Sequence, residues 1–182
     1  MYTRDRQIHT LLPSTQGNAV NAGLTAADAV WLATAILHYQ HPDDLGFSPV
    51  HIRDQVFTFG LTKAQPRTVY QHIVQHVTAS QPANPNRRRM LTELPNGYRR
   101  LYINGDAFHP SREDGQSIPK IEDLPPDLRQ WLPWYEHWSK DHLSKLARSP
   151  TEDPLERLAG TWTFGDADSY LREMRDGWEG RP

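Results

Sequence analysis

Apolar residues in the first half of the chain recur every three to four positions in three successive runs, each with its own start and stop signals. The first run predicts a helix from Thr25, with a buried stripe of Val30, Ala33, Ile36 and Leu37. The Thr25 hydroxyl can cap the free N–H groups, and Asp28 three residues on completes a capping box with Asp in place of Glu. His41-Pro42-Asp43-Asp44-Leu45-Gly46 ends it. Ser48-Pro49 opens a second helix, with proline at the first helical position and Ile52 and Val56 on its inner side. After the Phe59-Gly60-Leu61 turn, Gln65-Pro66 opens a third. Its inner face should carry Val69, Tyr70, Ile73 and Val77, leaving Arg67, Thr68, Gln71, His72 and Gln75 pointing elsewhere, and it should stop near Ser80-Gln81-Pro82.

The pattern then changes. Met90–Leu94 and Tyr98–Ile103 are short apolar-containing runs on either side of Pro95-Asn96-Gly97, which reads as a β-hairpin. Three helices followed by a hairpin is the order of a winged helix-turn-helix domain, here over residues 24–103, with the third helix for recognition and the hairpin as wing. The expected core is Val30, Ile36, Leu37, Ile52, Val56, Val69, Ile73, Val77, Leu91 and Leu101. Residues 1–23 lack periodicity and read as an N-terminal arm. Residues 104–124 are Pro-, Gly- and Asp-containing and read as irregular. Pro126 starts a further helical pattern with Leu128, Trp131, Leu132, Tyr135 and Trp138 on one side, in which Pro133 predicts a kink or break. Its tryptophans suggest packing against the winged helix or across a dimer, so residues 104–146 form a loop and a Trp-rich helical extension. Residues 144–154 look like a linker, and 147–182 comprise linker and tail. The fold class expected is mainly α with a small β-hairpin: a winged helix-turn-helix domain, an irregular helical extension and a partner-dependent C-terminal tail.

The residues Arg89-Met90-Leu91, Gly97-Tyr98-Arg99-Arg100-Leu101-Tyr102, Gly105-Asp106, His109-Pro110, Leu124-Pro125-Pro126 and Trp134-Tyr135 carry a resemblance to a family of uncharacterised prokaryotic winged-helix proteins. It spans roughly residues 25–138 and implies the fold while saying little of function.

Composition adds two constraints. Apolar residues make up only 37% of the 182 positions and mean hydropathy is −0.74, which suggests exposed or partner-dependent segments. There is no cysteine, hence no disulfide framework or thiolate metal site. Met1-Tyr2-Thr3-Arg4-Asp5-Arg6 lacks a secretory signal's apolar region, and no run is long and apolar enough for a membrane span, so a soluble cytoplasmic protein is expected. Charge is uneven: residues 1–103 hold 10 Lys/Arg against 6 Asp/Glu, whereas 104–146 and 147–182 each hold 5 against 8. A basic front suits a polyanion.

Nucleic-acid chemistry gathers at two places. The outer side of the third helix offers Arg67, Thr68, Gln71, His72 and Gln75, of which Arg and Gln suit base edges and Thr suits phosphate. Arg87, Arg88 and Arg89 enter the wing and Arg99 leaves it with Arg100, placed to grip a phosphate backbone, although Arg89 and Arg100 could instead pair with carboxylates. Catalysis has less support. His72 and His76 have a zinc-compatible spacing without the accompanying Glu; no serine sits in a nucleophile elbow, and no phosphate-binding Gly-rich loop precedes a helix. Asp106 and His109 would suit an enzyme subunit or simple local hydrogen bonds. The reading is not an enzyme, with no metal and no cofactor.

The end of the chain carries the most specific pattern: Leu155, Leu158 and Trp162 form one apolar stripe, and Tyr170, Leu171, Met174 and Trp178 a second at helical spacing, with Gly160 and Gly165 between. With Leu158-Ala159-Gly160, Trp162, an acidic turn and Tyr170-Leu171-Arg172-Glu173-Met174-Arg175, it resembles the toxin-neutralising tail of VapB-type antitoxins. The resemblance implies neutralisation of a PIN-domain ribonuclease, whose metal is held by carboxylates. The seven apolar residues would be anchors, and Arg172 or Arg175 the cation over the acidic centre. Those antitoxins usually carry a ribbon-helix-helix or swapped-hairpin front end, from which this chain departs. The function expected is a homodimeric antitoxin of a type II toxin–antitoxin system that binds double-stranded operator DNA for autorepression and neutralises its toxin. The rival is a winged-helix transcriptional regulator or protein-interaction adaptor with a self-packed C-terminal helix.

Overall fold

A computed structural model describes residues 23–148. The N-terminal arm up to residue 22 and the tail from 149, with every residue expected to bind a toxin, lie outside the described residues. The described part is mainly helical with a two-stranded antiparallel sheet.

Helix α1 spans Ala26–Gln40. The Thr25 side chain accepts the Asp28 amide at 3.3 Å and donates its hydroxyl to Asp28 Oδ2 at 2.5 Å, the expected cap. The single buried stripe is a correction, however: every residue from Ala26 to His38 is buried, including Trp31, Leu32, Thr34 and Ala35. Five alanines let neighbours approach closely, and the Thr34 hydroxyl is satisfied by the Val30 carbonyl at 2.8 Å.

Helix α2, Pro49–Thr58, starts where expected, with Ser48 accepting the His51 amide at 3.2 Å. Between α1 and α2 the chain makes one bridge: Phe47 and Arg99 exchange both backbone hydrogen bonds at 2.8 Å. Gly46 permits this, because a Cβ there would lie 2.9 Å from the Arg99 carbonyl oxygen. Helix α3, Pro66–Gln71, runs into a π-helical turn over His72–His76. Strands β1, Leu91–Glu93, and β2, Arg99–Leu101, pair with Glu93 opposite Arg99. Short 3-10 turns at Pro110–Arg112, Ile121–Asp123 and Pro126–Leu128 punctuate the loop that follows.

Helix α4, Trp131–Arg148, begins after the last of these turns. Pro133 therefore falls in its first turn, where a missing N–H costs nothing, and the expected kink or break is a break that comes ahead of it, between the turn at Pro126–Leu128 and the start of the helix. The helix also continues through residues 144–148, which were expected to be linker. Its aromatic rings meet α1: Tyr135 lies 5.6 Å from Trp31, Trp131 5.7 Å from Tyr39 and Trp138 4.6 Å from His38, centroid to centroid. The Tyr135 hydroxyl donates to the Tyr102 carbonyl, and burial pushes its pKa up to about 12.

All ten expected core residues are fully buried, and Leu124, Leu128, Trp131 and Tyr135 join the same cluster. The boundary expected at residue 103 therefore does not divide the core. Tyr70 is the exception to the expected inner face of the third helix, at 38% exposure. No helix among the described residues is long and apolar enough to cross a membrane.

Candidate nucleic-acid interface

Proline at its first position and Val69, Ile73 and Val77 on its inner side fix how α3 lies on the core. Steps of four residues overshoot an α-helical turn of about 3.6 residues, and the wider π turn takes up that overshoot. The Val77 amide reaches back to the His72 carbonyl at 3.0 Å, and the buried Thr78 hydroxyl donates to the Ile73 carbonyl at 2.6 Å. Arg67, Thr68, Gln71 and Gln75 are exposed as expected, while His72 is half-buried. Lys63 in the preceding turn is exposed beside them, a cation that sequence reasoning passed over.

The arginines around the hairpin divide differently. Arg87 is exposed. Arg88 reaches Asp28 at 3.1 Å and the Thr25 hydroxyl at 3.3 Å, so it neutralises the buried carboxylate at the start of α1. Arg89 lies over the Phe108 ring at 4.3 Å and the Tyr102 ring at 5.5 Å. Arg99 is buried; its guanidinium holds Glu93, its cross-strand neighbour, at 3.0 Å and donates to the Gly97 carbonyl at 2.7 Å. A phosphate-gripping role for Arg88 and Arg99 is therefore replaced by an internal one. The exposed hairpin tip is Pro95, Asn96, Gly97 and Tyr98, without a charge.

Arg100 pairs with Asp106 at 2.6 Å, the alternative already open in the sequence. Asp106 also accepts from the Thr92 hydroxyl at 2.6 Å and the Ile103 amide at 2.9 Å. Burial alone would raise its carboxyl, but the bonds from Arg100, Thr92 and the Ile103 amide outweigh that and hold it below its usual range. His109 turns instead to Ser111, with Nδ1 2.8 Å from the hydroxyl and accepting the Ser111 amide at 3.2 Å. Asp106 and His109 thus have separate, local partners. Among the described residues no group of three His, Asp or Glu could hold a metal ion.

One buried side chain ties the basic segment to α3. The Arg112 guanidinium, fully shielded from water, donates to the carbonyls of Gln75 at 2.7 Å, His76 at 2.9 Å, Gln81 at 2.6 Å and Pro82 at 3.1 Å, and to that of Arg88. Positive charge thereby meets the carbonyl-rich end of the third helix. Beside it the backbones nearly touch at Gly115, and the Arg89 amide donates to the Gln116 carbonyl at 2.9 Å.

His72 sits at the edge of the exposed face, its ring 4.9 Å from that of His76. Burial, then the charges of His76 and Arg88, lower its pKa from 6.5 to about 4. In the unfolded chain it regains its ordinary value, so the unfolded state binds the extra proton first as pH falls. The His72 contribution to stability is complete above about pH 6.5 and is lost on the way down to about pH 4. Melting temperature followed across that interval should fall less steeply in His72→Gln than in the parent. The Asp106 contribution is lost only below the ordinary carboxylate range, so it leaves this window alone.

No protein-family model, curated protein or solved structure matches this chain. Positions 55–92, which span α3 and the basic segment, contain Lys63, Arg67, Arg87, Arg88 and Arg89 and not one Asp or Glu. With Arg88 turned to Asp28 and Arg89 stacked on rings, the exposed cations of this stretch are Lys63, Arg67 and Arg87.

Proposed function

We propose that this protein is a winged helix-turn-helix transcriptional regulator that binds double-stranded DNA through the exposed side of α3, and that it is the antitoxin of a type II toxin–antitoxin pair. The observation that carries the first part is the Phe47–Arg99 bridge. It makes the order helix, bridging strand, helix, helix, strand, strand, with the residue between α1 and α2 pairing to the second hairpin strand. That connectivity supports a winged helix, in which the third helix enters the major groove. The stretch of residues 55–92 around Arg67, which holds five Lys/Arg and no Asp or Glu, supplies the matching electrostatics.

The test is titration of the full chain with duplex DNA from upstream of its own gene, across salt concentrations. Arg87→Gln should weaken binding to all sequences and reduce the salt slope by about 1. Gln71→Ala should instead shift preference among sequences, by about 1–3 kcal/mol at the affected base pair. Arg99→Gln should leave the salt slope unchanged, because its charge is committed to Glu93. Absence of binding at low salt removes the DNA reading. A homodimer on a palindromic operator would appear as two half-sites about one helical turn apart.

The toxin part rests on the sequence of residues 155–178 and its resemblance to VapB-type tails. The proposed partner is a PIN-domain ribonuclease, with Arg172 or Arg175 over its acidic centre. Deleting residues 150–182 should abolish neutralisation and leave DNA binding measurable. A front domain that binds no DNA while the full chain captures such a nuclease would make the protein an interaction adaptor.

A further inference from the structure

On a helix advancing about 100° per residue, Arg67 and Gln71 fall within about 40° of arc, roughly opposite Val69 and Ile73, and Tyr70 lies to one side of Arg67. Thr68, His72 and Gln75 lie to one flank. Tyr70, not a polar residue, therefore sits at one edge of the outward face of α3, about 60° from Arg67 on one side and about 60° from Ile73 on the other. It is 38% exposed. Among the described residues its ring has no stacking partner and its hydroxyl no hydrogen bond, whereas Phe108, equally exposed, lies under Arg89. An aromatic ring partly exposed on a six-residue helix, one turn from an exposed arginine and in a stretch without carboxylates, is free to make a contact beyond the described residues.

We propose that Tyr70 is a specificity-determining residue for DNA, its ring packing against the C5-methyl group of a thymine in the major groove. This rests on the DNA-binding reading above. The chemistry follows from the groove: Arg67 and Gln71 can read donor and acceptor patterns on guanine and adenine, while thymine alone adds an apolar methyl that a ring can cover. An apolar ring beside two hydrogen-bonding side chains thus reads the feature that neither can. Because more than a third of the residue is exposed and no hydrogen bond or ring contact among the described residues holds it, its removal leaves the fold intact.

The experiment uses duplexes recovered by the full-length protein from a random-sequence pool, made with thymine or with uracil, which lacks only the methyl. The parent protein should bind the uracil duplex about three- to five-fold more weakly, as expected for loss of one buried methyl group. Tyr70→Ala should bind the thymine duplex more weakly by a similar factor and make no distinction between the two. Tyr70→Phe should behave as the parent. Equal thymine and uracil affinities for the parent would overturn the proposal. So would a Tyr70→Ala variant that still discriminates, or a Tyr70→Phe variant that loses affinity for every sequence alike, the mark of a hydroxyl bound to phosphate. If the parent recovers no duplex at all, the DNA-binding reading itself fails, a result separate from each of these.

Discussion

Arg112→Met should destabilise the protein by at least about 4 kcal/mol, a large share of the roughly 5–15 kcal/mol that holds a domain folded. Methionine retains much of the side-chain length and removes all five donors. The carbonyls of Gln75, His76, Gln81, Pro82 and Arg88 then face a water-excluded space without a partner. Each stranded group costs about 1–3 kcal/mol, and relaxation recovers only part of that sum. Lysine keeps the charge but offers three donors on a point rather than a planar fork, so Arg112→Lys should recover only part of the loss. Urea denaturation distinguishes the two, with the midpoint lowest for methionine and intermediate for lysine. A midpoint for Arg112→Met within experimental error of the parent would mean that the carbonyls had found other donors.

The second large effect is expected at Gly115. A Cβ on this residue would lie 1.7 Å from the Arg87 carbonyl oxygen and 2.8 Å from that of Arg112. Both obstacles are backbone, so no side chain can swing aside. Gly115→Ala must push the 110–118 loop off the basic segment, breaking the Arg89–Gln116 hydrogen bond and drawing Arg112 from its carbonyls. A loss of about 2–4 kcal/mol is expected, towards the upper end for overpacking. Gly97 provides the control. Nothing lies within 4 Å of a Cβ there, and its φ of +81° makes alanine only locally strained, at about 1 kcal/mol. Thermal melts of the two alanine variants should therefore differ clearly, with Gly115→Ala the lower.

Much of the frame was legible in the sequence, because periodicity and capping are local signals. Ten core positions, the Thr25 and Ser48 caps and the Asn-Gly hairpin follow from spacing within single elements. What spacing could not give is where α1 ends its contacts: an alanine-rich helix reads as one-sided until α4 covers its other face. Tyr70 is a borderline case: the wheel puts it about 60° from Ile73, so spacing alone left it on the inner side. The arginines failed for a different reason. A run of three gives no sign of which one meets a carboxylate 60 residues away, as Arg88 meets Asp28. Arg112 was less legible still, because its acceptors are backbone carbonyls, which any residue supplies.

The burial of α1 on all sides has a consequence for how this protein can diverge. A helix with a watered face can accept drift there at little cost, but α1 has almost no such face between Ala26 and His38. Its alanines set approach distances, and its polar residues have fixed surroundings. Freedom to vary is thereby displaced onto the outer side of α3, the uncharged hairpin tip and the exposed loops. Descendants of this chain could exchange Arg67, Tyr70 or Gln71 one at a time, changing what they recognise while inheriting the same scaffold.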